Sequence, residues 1–419
     1  MPHSHRPGVG LVLILLGLCI ATVIGSLVWV GFRLFGGRMP PVDYSAAHTI
    51  LVELGQPSAQ DAENGYDLLD ELGRHVEQRQ NEINAREKQR WEDDPADDAL
   101  LFGNERFRWY LLIEDPADDR DDLDRRMREV AEREYERLNA EGLFDRIEQF
   151  SQMRRYVPPP RRGMIASGPK SALKLGARML TTLLIHRMVL AADRRDAPAM
   201  EAALRQCLSI GRATQRGRTM MDELMGMSQC VSVLKAIRDL LIDGRVPEGA
   251  SERLLAIIDA SGVSSAMGPA FEGERMLVLD DLQEIYSGRF AGPEASQVFR
   301  LYRTHRECVQ TANEHFDAAN DLLRMKPAQR RAAAAKLQLL DTEVGLPLDM
   351  LMPSLTRLPG FASQMDTQVA ATRLMLMLQI FRDRQCVYPA SLDELVPLVA
   401  PSLPVDPHDP NDRFAYRLL

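Results

Sequence analysis

Hydrophobic positions along the chain fall into one continuous run followed by a long series of helix-spaced stripes. The run covers residues 9–32 (VGLVLILLGLCIATVIGSLVWVGF) and contains no charged residue. A bilayer core takes about 20 apolar residues of helix, so residues 1–38 predict an N-terminal transmembrane anchor with its flanks. Residues 36–41 (GGRMPP) break the pattern as a linker. Beyond it, Ala62, Tyr66, Leu69, Val76 and Ile83 form the apolar stripe of a helix over about residues 59–90. A second charged helix, residues 116–138, carries Leu123, Met127 and Val130 on its apolar side. Successive short helices follow over 177–194, 199–214, 220–242 and 249–260, with Asp196 to Pro198 as the first turn. Residues 294–323 show steps of four and three through Val298, Tyr302, His305, Val309, Ala312, Phe316, Ala319 and Leu323. Such a seam packs on another long helix, within the chain or in a second copy. Residues 365–384 are apolar on nearly every side around Leu374 to Phe381 and predict a buried helix. Ser391 and Glu394 then spell a capping box, and Phe414 to Arg417 alternates like a short strand.

The fold class expected is mainly α: an N-terminal transmembrane helix, a helical-hairpin array and a small C-terminal α+β tail with a short strand or hairpin. Residues 39–153 form a charged helical region, 171–345 the array and 346–419 the closing unit. Between the first two lies 154–170 (RRYVPPPRRGMIASGPK), where three consecutive prolines exclude helix and stiffen the backbone as an extended spacer. Its arginines are suited to lipid headgroups or an acidic partner, against the plainer reading of a solvated linker. The helix pairs are similar in size to tetratricopeptide-type units, but no period with the expected aromatic and proline positions recurs, so a compact helical array is the expectation.

The alternatives to an anchor read poorly. A cleavable signal has a shorter apolar core and a small-x-small exit, whereas this run leaves through Trp29-Val30-Gly31-Phe32. A lipoprotein signal wants a small residue before its cysteine, and Leu18 precedes Cys19. Positive charge is nearly balanced across the run, with Arg6 and the terminal amine before it and Arg33 and Arg38 after it. A short leader with a large following body favours an extracytoplasmic body on a bacterial inner membrane. Within the run, Gly17, Ala21 and Gly25 share one helix face, a spacing that lets two backbones approach and points to homodimer pairing. The same residues are also common in any membrane helix.

Charge and chemistry narrow the function classes further. A net charge of −9 argues against a general nucleic-acid binder, which needs a positive face. The acidic repeats Asp94-Pro95-Ala96-Asp97-Asp98 and Asp115-Pro116-Ala117-Asp118-Asp119 invite calcium, yet the alternating ligands and central glycine of a calcium loop are missing. Aspartate, proline and aspartate at a helix start explain them instead. Residues 163–171 nearly spell a phosphate loop, but Pro169 displaces Lys170 and removes a needed N–H. Among eight histidines no i, i+4 pair occurs. His305 and Cys308 stand one turn apart with Glu314 and His315 beyond, and a packing histidine on an apolar face is the expectation there. Cys207, Cys230, Cys308 and Cys386 show no Cys-x-x-Cys, and Gly226 to Cys230 fails as a nucleophile elbow at its last position. No catalytic residue, cofactor or metal is expected.

Arg384-Gln385-Cys386-Val387-Tyr388-Pro389, then Ser391 to Leu395, Pro404-Val405-Asp406-Pro407 and Phe414 to Arg417 form an ordered set. The set resembles the C-terminal tail of membrane-anchored bacterial, planctomycete-like proteins of unknown function. It is also similar to the end of the type II secretion major pseudopilin. That resemblance implies a long helix ended by Tyr-Pro, a capped helix packing back, and an Asp-Pro turn into a strand. The pseudopilin's cleavage-site glycine and the glutamate inside its apolar helix have no counterpart before or within residues 9–32. Together these readings predict a single-pass, membrane-anchored helical scaffold or protein-interaction module of the cell envelope. A hydrolase with a site assembled from distant residues, or a secretion-machinery component, are the alternatives.

Overall fold

The computed structural model describes residues 42–54, 64–93, 122–159, 163, 172–289, 299–326, 329–330, 333–334, 337, 347–352, 355, 357–408 and 413–417. They are mainly α-helical and contain no strand; Asn64 and Arg155 make an isolated parallel bridge. In chain order the helices are α1 (Tyr44–Leu54), α2 (Gly65–Asp93), α3 (Asp122–Ala140), α4 (Leu143–Gln152), α5 (Ala172–Asp193), α6 (Ala197–Gln215), α7 (Met220–Ile242), α8 (Ala250–Ser261), α9 (Met267–Ser287), α10 (His305–Arg324), α11 (Leu348–Leu351), α12 (Leu358–Gln385) and α13 (Leu395–Leu398). Among the described residues no helix is long and apolar enough to cross a membrane. The apolar run at 9–32 and its Gly17, Ala21 and Gly25 face lie outside them, as do both acidic repeats.

Local signals explain where the hairpins of the array turn. Asp196 accepts from the Ala199 N–H at 3.1 Å and Pro198 opens α6, so α5 folds back on α6. The α6–α7 turn ends on Thr219, which accepts from the Asp222 N–H at 3.2 Å. Two crossings bring backbone against backbone. A Cβ on Gly176 of α5 lands 2.5 Å from the Gly73 Cα of α2, and one on Gly226 of α7 lands 2.5 Å from the Gly211 carbonyl oxygen of α6. Only glycine fits at either place.

Leu69, Val76 and Ile83 are fully buried, as their stripe predicts. One apolar cluster extends from them through α5, α6 and α7 to Phe271, Phe316 and Leu376. The proline-rich stretch is not a free linker in its first half. Asn64 clamps Val157 through two 2.8 Å hydrogen bonds, Gly65 N–H donates to the Arg155 carbonyl at 2.9 Å, and Tyr156 is buried against Tyr66. Residues 153–159 are therefore a strap packed across α2.

The long helix expected over 294–323 is interrupted: residues 299–302 are helical, Arg303 and Thr304 break the run, and α10 begins at His305. Thr304 accepts from the Glu307 N–H at 3.3 Å while Glu307 accepts from the Thr304 N–H at 2.7 Å, and this capping box starts α10. At the C-terminus, Ser391 and Glu394 do form the expected box. The expected strand does not form. Arg413–Arg417 has no ladder partner; Tyr416 donates its hydroxyl to the Pro389 carbonyl at 2.8 Å, and Phe414 packs on the cluster of Leu374, Met377, Phe381 and Leu395. A side-chain bond and an apolar contact have replaced backbone pairing.

Candidate functional site

The interaction seam expected on α10 is divided by the new helix start. Val298 lies outside the described residues, and Tyr302 precedes the cap and is exposed. His305, Val309 and Phe316 are buried in the chain's own core, and Leu323 packs at its margin. His305 stacks on Tyr286 at 5.2 Å, and its Nε2 has no hydrogen-bond partner. Burial, with Arg300 alongside, lowers its pKa, so the ring packs as neutral imidazole. Among the described residues no three His, Cys, Asp or Glu side chains converge as a metal site.

Two polar centres stand out among the described residues. The first is Glu223, fully buried at the start of α7. Its Oε1 accepts from the Ala266 N–H at 2.7 Å, from Gln215 Nε2 at 3.1 Å and from the Ser265 hydroxyl at 3.4 Å. Desolvation pushes its pKa up to about 7, only partly opposed by those donors and by Arg218. Gln215 also donates to the Ser264 carbonyl at 3.2 Å. Glu223 thus ties the α6–α7 corner to the N-terminus of α9, where a carboxylate faces free backbone donors. Ser265 joins this knot to a cavity of about 380 Å³ lined also by Glu272, Asn320, Arg324 and Asp366. The lining is already paired: Asn320 and Arg275 donate to Glu272 at 2.7 and 3.3 Å, and Ser265 Oγ accepts from Met267 N–H at 3.3 Å. These groups hold helices together.

The second centre is different in kind. A cleft of about 340 Å³ lies between the end of α4, the strap and α6, and Arg154, Arg155, Arg212 and Arg216 line it with Ser151 and Ser209. Among the described residues no carboxylate lines it. Ser209, Arg212, Ala213 and Arg216 share one face of α6 and its C-cap by their i, i+3, i+4, i+7 spacing. The Asn64 clamp fixes Arg154 and Arg155 opposite them. Arg216 Nη1 donates to the Arg154 carbonyl at 3.2 Å. Burial lowers the Arg216 pKa, and Arg212 and Arg218 lower it further. The α6 C-terminal dipole favours these cations in part. Arg155 Nη2 donates to Glu53 Oε1 at 3.5 Å, an ion pair with a residue outside the lining. Arginines clustered in a lining that holds no carboxylate among the described residues favour an anion there.

The sequence alone points to the Arg154 end of this site but not to Arg212 or Arg216. Two arginines four apart beside Gly217 were the only signal, and on a helix they read as a solvated face. No known family, no curated protein and no solved structure matches the chain.

Proposed function

We propose that the chain is a single-pass, membrane-tethered helical interaction module whose arginine cleft captures an acidic segment of a partner protein. The observation that carries this reading is the cleft itself: four arginines line one cavity, and among the described residues no carboxylate lines it. Arg212 and Arg216 stand one helical turn apart, about 5–6 Å between side-chain origins. Alternate side chains of an extended peptide repeat at about 6–7 Å, so two carboxylates of an acidic strand match the pair. A tether at 9–32, an extracytoplasmic body and pairing of second copies through Gly17, Ala21 and Gly25 complete the reading, and the pseudopilin-like order of the tail agrees with an envelope setting.

The test is binding of a fluorescent oligoglutamate peptide to the full-length protein in detergent, with pyrophosphate titrated in parallel. Saturable peptide binding that weakens with salt, and falls at least about tenfold in Arg212→Glu/Arg216→Glu, is expected. Circular dichroism of the variant must match the native helix signal. Absence of saturable peptide binding, or equal binding by the variant, refutes the reading. Binding of pyrophosphate alone reassigns the cleft to small phosphate ligands.

A further inference from the structure

The point where the chain enters the body selects the end that faces its tether. Gln283 of α9 grips residue 42 with both atoms of its amide: Val42 N–H donates to Oε1 and Nε2 donates to the Val42 carbonyl, each at 2.8 Å. The apolar run ends at Phe32, and the chain from there to Val42 spans at most about 36 Å when fully extended. The surface around Gln283 is therefore held within that distance of the bilayer.

One turn further along α9, Tyr286 organises a second segment. Its hydroxyl donates to the Arg303 carbonyl at 2.8 Å, and Arg300 donates back to the Tyr286 carbonyl. Pinned at both ends, Leu301 and Tyr302 stand outward, 40% and 64% exposed. From Phe299 to Arg306 the sequence FRLYRTHR has three arginines and no carboxylate, in a chain whose net charge is −9. Arg300 and Arg303 are engaged locally, whereas Arg306 is exposed. Leucine beside tyrosine, flanked by arginine, is the composition of a membrane-water interface: the apolar parts enter the headgroup layer and the cation meets anionic lipid.

We infer that Leu301 and Tyr302 seat in the bilayer that holds the tether, with Arg306 against its anionic headgroups. This docking rests on the reading of residues 9–32 as a membrane span. It fixes the body's orientation, with α9 and the start of α10 turned toward the lipid.

The test places the full chain in vesicles of phosphatidylglycerol mixed with brominated phosphatidylcholine, against the same vesicles without bromine. Trp91→Phe/Trp109→Phe leaves Trp29, in the apolar run, as the one tryptophan, so its emission reports the tether. Adding Tyr302→Trp to that protein places a second reporter at the docking surface. The expected result is bromine quenching of the Trp29 emission and loss of most of the added emission as well. Arg306→Glu in the Tyr302→Trp background should then restore part of that added emission. Trp29 emission untouched by bromine overturns the span and the docking with it. Quenched Trp29 emission, with the emission added at position 302 unquenched, overturns the docking alone. The same holds if the added emission is blue-shifted yet unquenched and tracks protein-to-lipid ratio, since a second copy would then cover the surface.

Discussion

The carboxyl of Glu223 accepts three donors on one oxygen while the other, Oε2, is buried with no partner. That asymmetry gives stability a defined dependence on pH. The folded pKa is raised to about 7 from an ordinary 4.5. Below about 4.5 the group is protonated in both states and costs nothing. Between about 4.5 and about 7 the folded state holds a proton that the unfolded chain has released, so stability falls as pH rises and stays lower above that range. A shift of this size corresponds to about 3 kcal/mol. Glu223→Gln keeps an oxygen for the same donors and removes the charge. Urea unfolding at about pH 5 and about pH 8 should show the variant gaining on the native protein by an amount of that order. A difference that stays constant across the two pH values contradicts the assignment.

At the scale of single elements, helix starts decide what each surface does. The Thr304–Glu307 box ends what periodicity reads as one long helix and frees Leu301 and Tyr302 from the α10 seam. Thr304→Ala removes the acceptor for the Glu307 N–H and should cost about 1 kcal/mol, measured as a shift of the unfolding midpoint. A cost near zero would mean that packing against α9 alone sets the start of α10. The box was present in the sequence as Thr-x-x-Glu, just as Ser-x-x-Glu was at 391–394. The four-three spacing through Tyr302 and His305 concealed it, since local capping overrides periodicity where both apply. Helix stripes such as Leu69, Val76 and Ile83 were legible because burial on one face needs only sequence spacing. The strap was half legible. Its prolines excluded helix, but its packing depends on Asn64, about ninety residues earlier, and no local pattern carries that clamp. The arginine cleft was hidden for the same reason: Arg154 and Arg212 line one cleft only after α4, the strap and α6 have docked.

The whole molecule is joined across the strap by contacts that do not follow the chain. Before it, α1 packs on α9, α2 on α5 and α4 on α6, so each of these early helices has a late partner. Arg146 pairs with Glu71 at 2.9 Å within the early part, and Gln206 donates to Glu148 at 2.7 Å between the parts. Gly163 N–H donates to Asp280 at 2.9 Å, fastening the far side of the proline stretch to α9. The apolar cluster runs without interruption through both parts, and burial of that kind contributes far more than any one ion pair. A protease site inserted between Pro160 and Arg161 should therefore be cut without releasing either fragment. Both pieces are expected to elute together in detergent, with helix content retained. Gly176→Leu in the same cleavable protein pushes a side chain into the Gly73 backbone, where even a Cβ has only 2.5 Å, and should loosen the pair so that the cut fragments separate. Separation of the unmutated fragments on cutting would instead make the early helices an independent unit. The arginine cleft would then be an interface between two bodies, since its walls come from both sides of the strap.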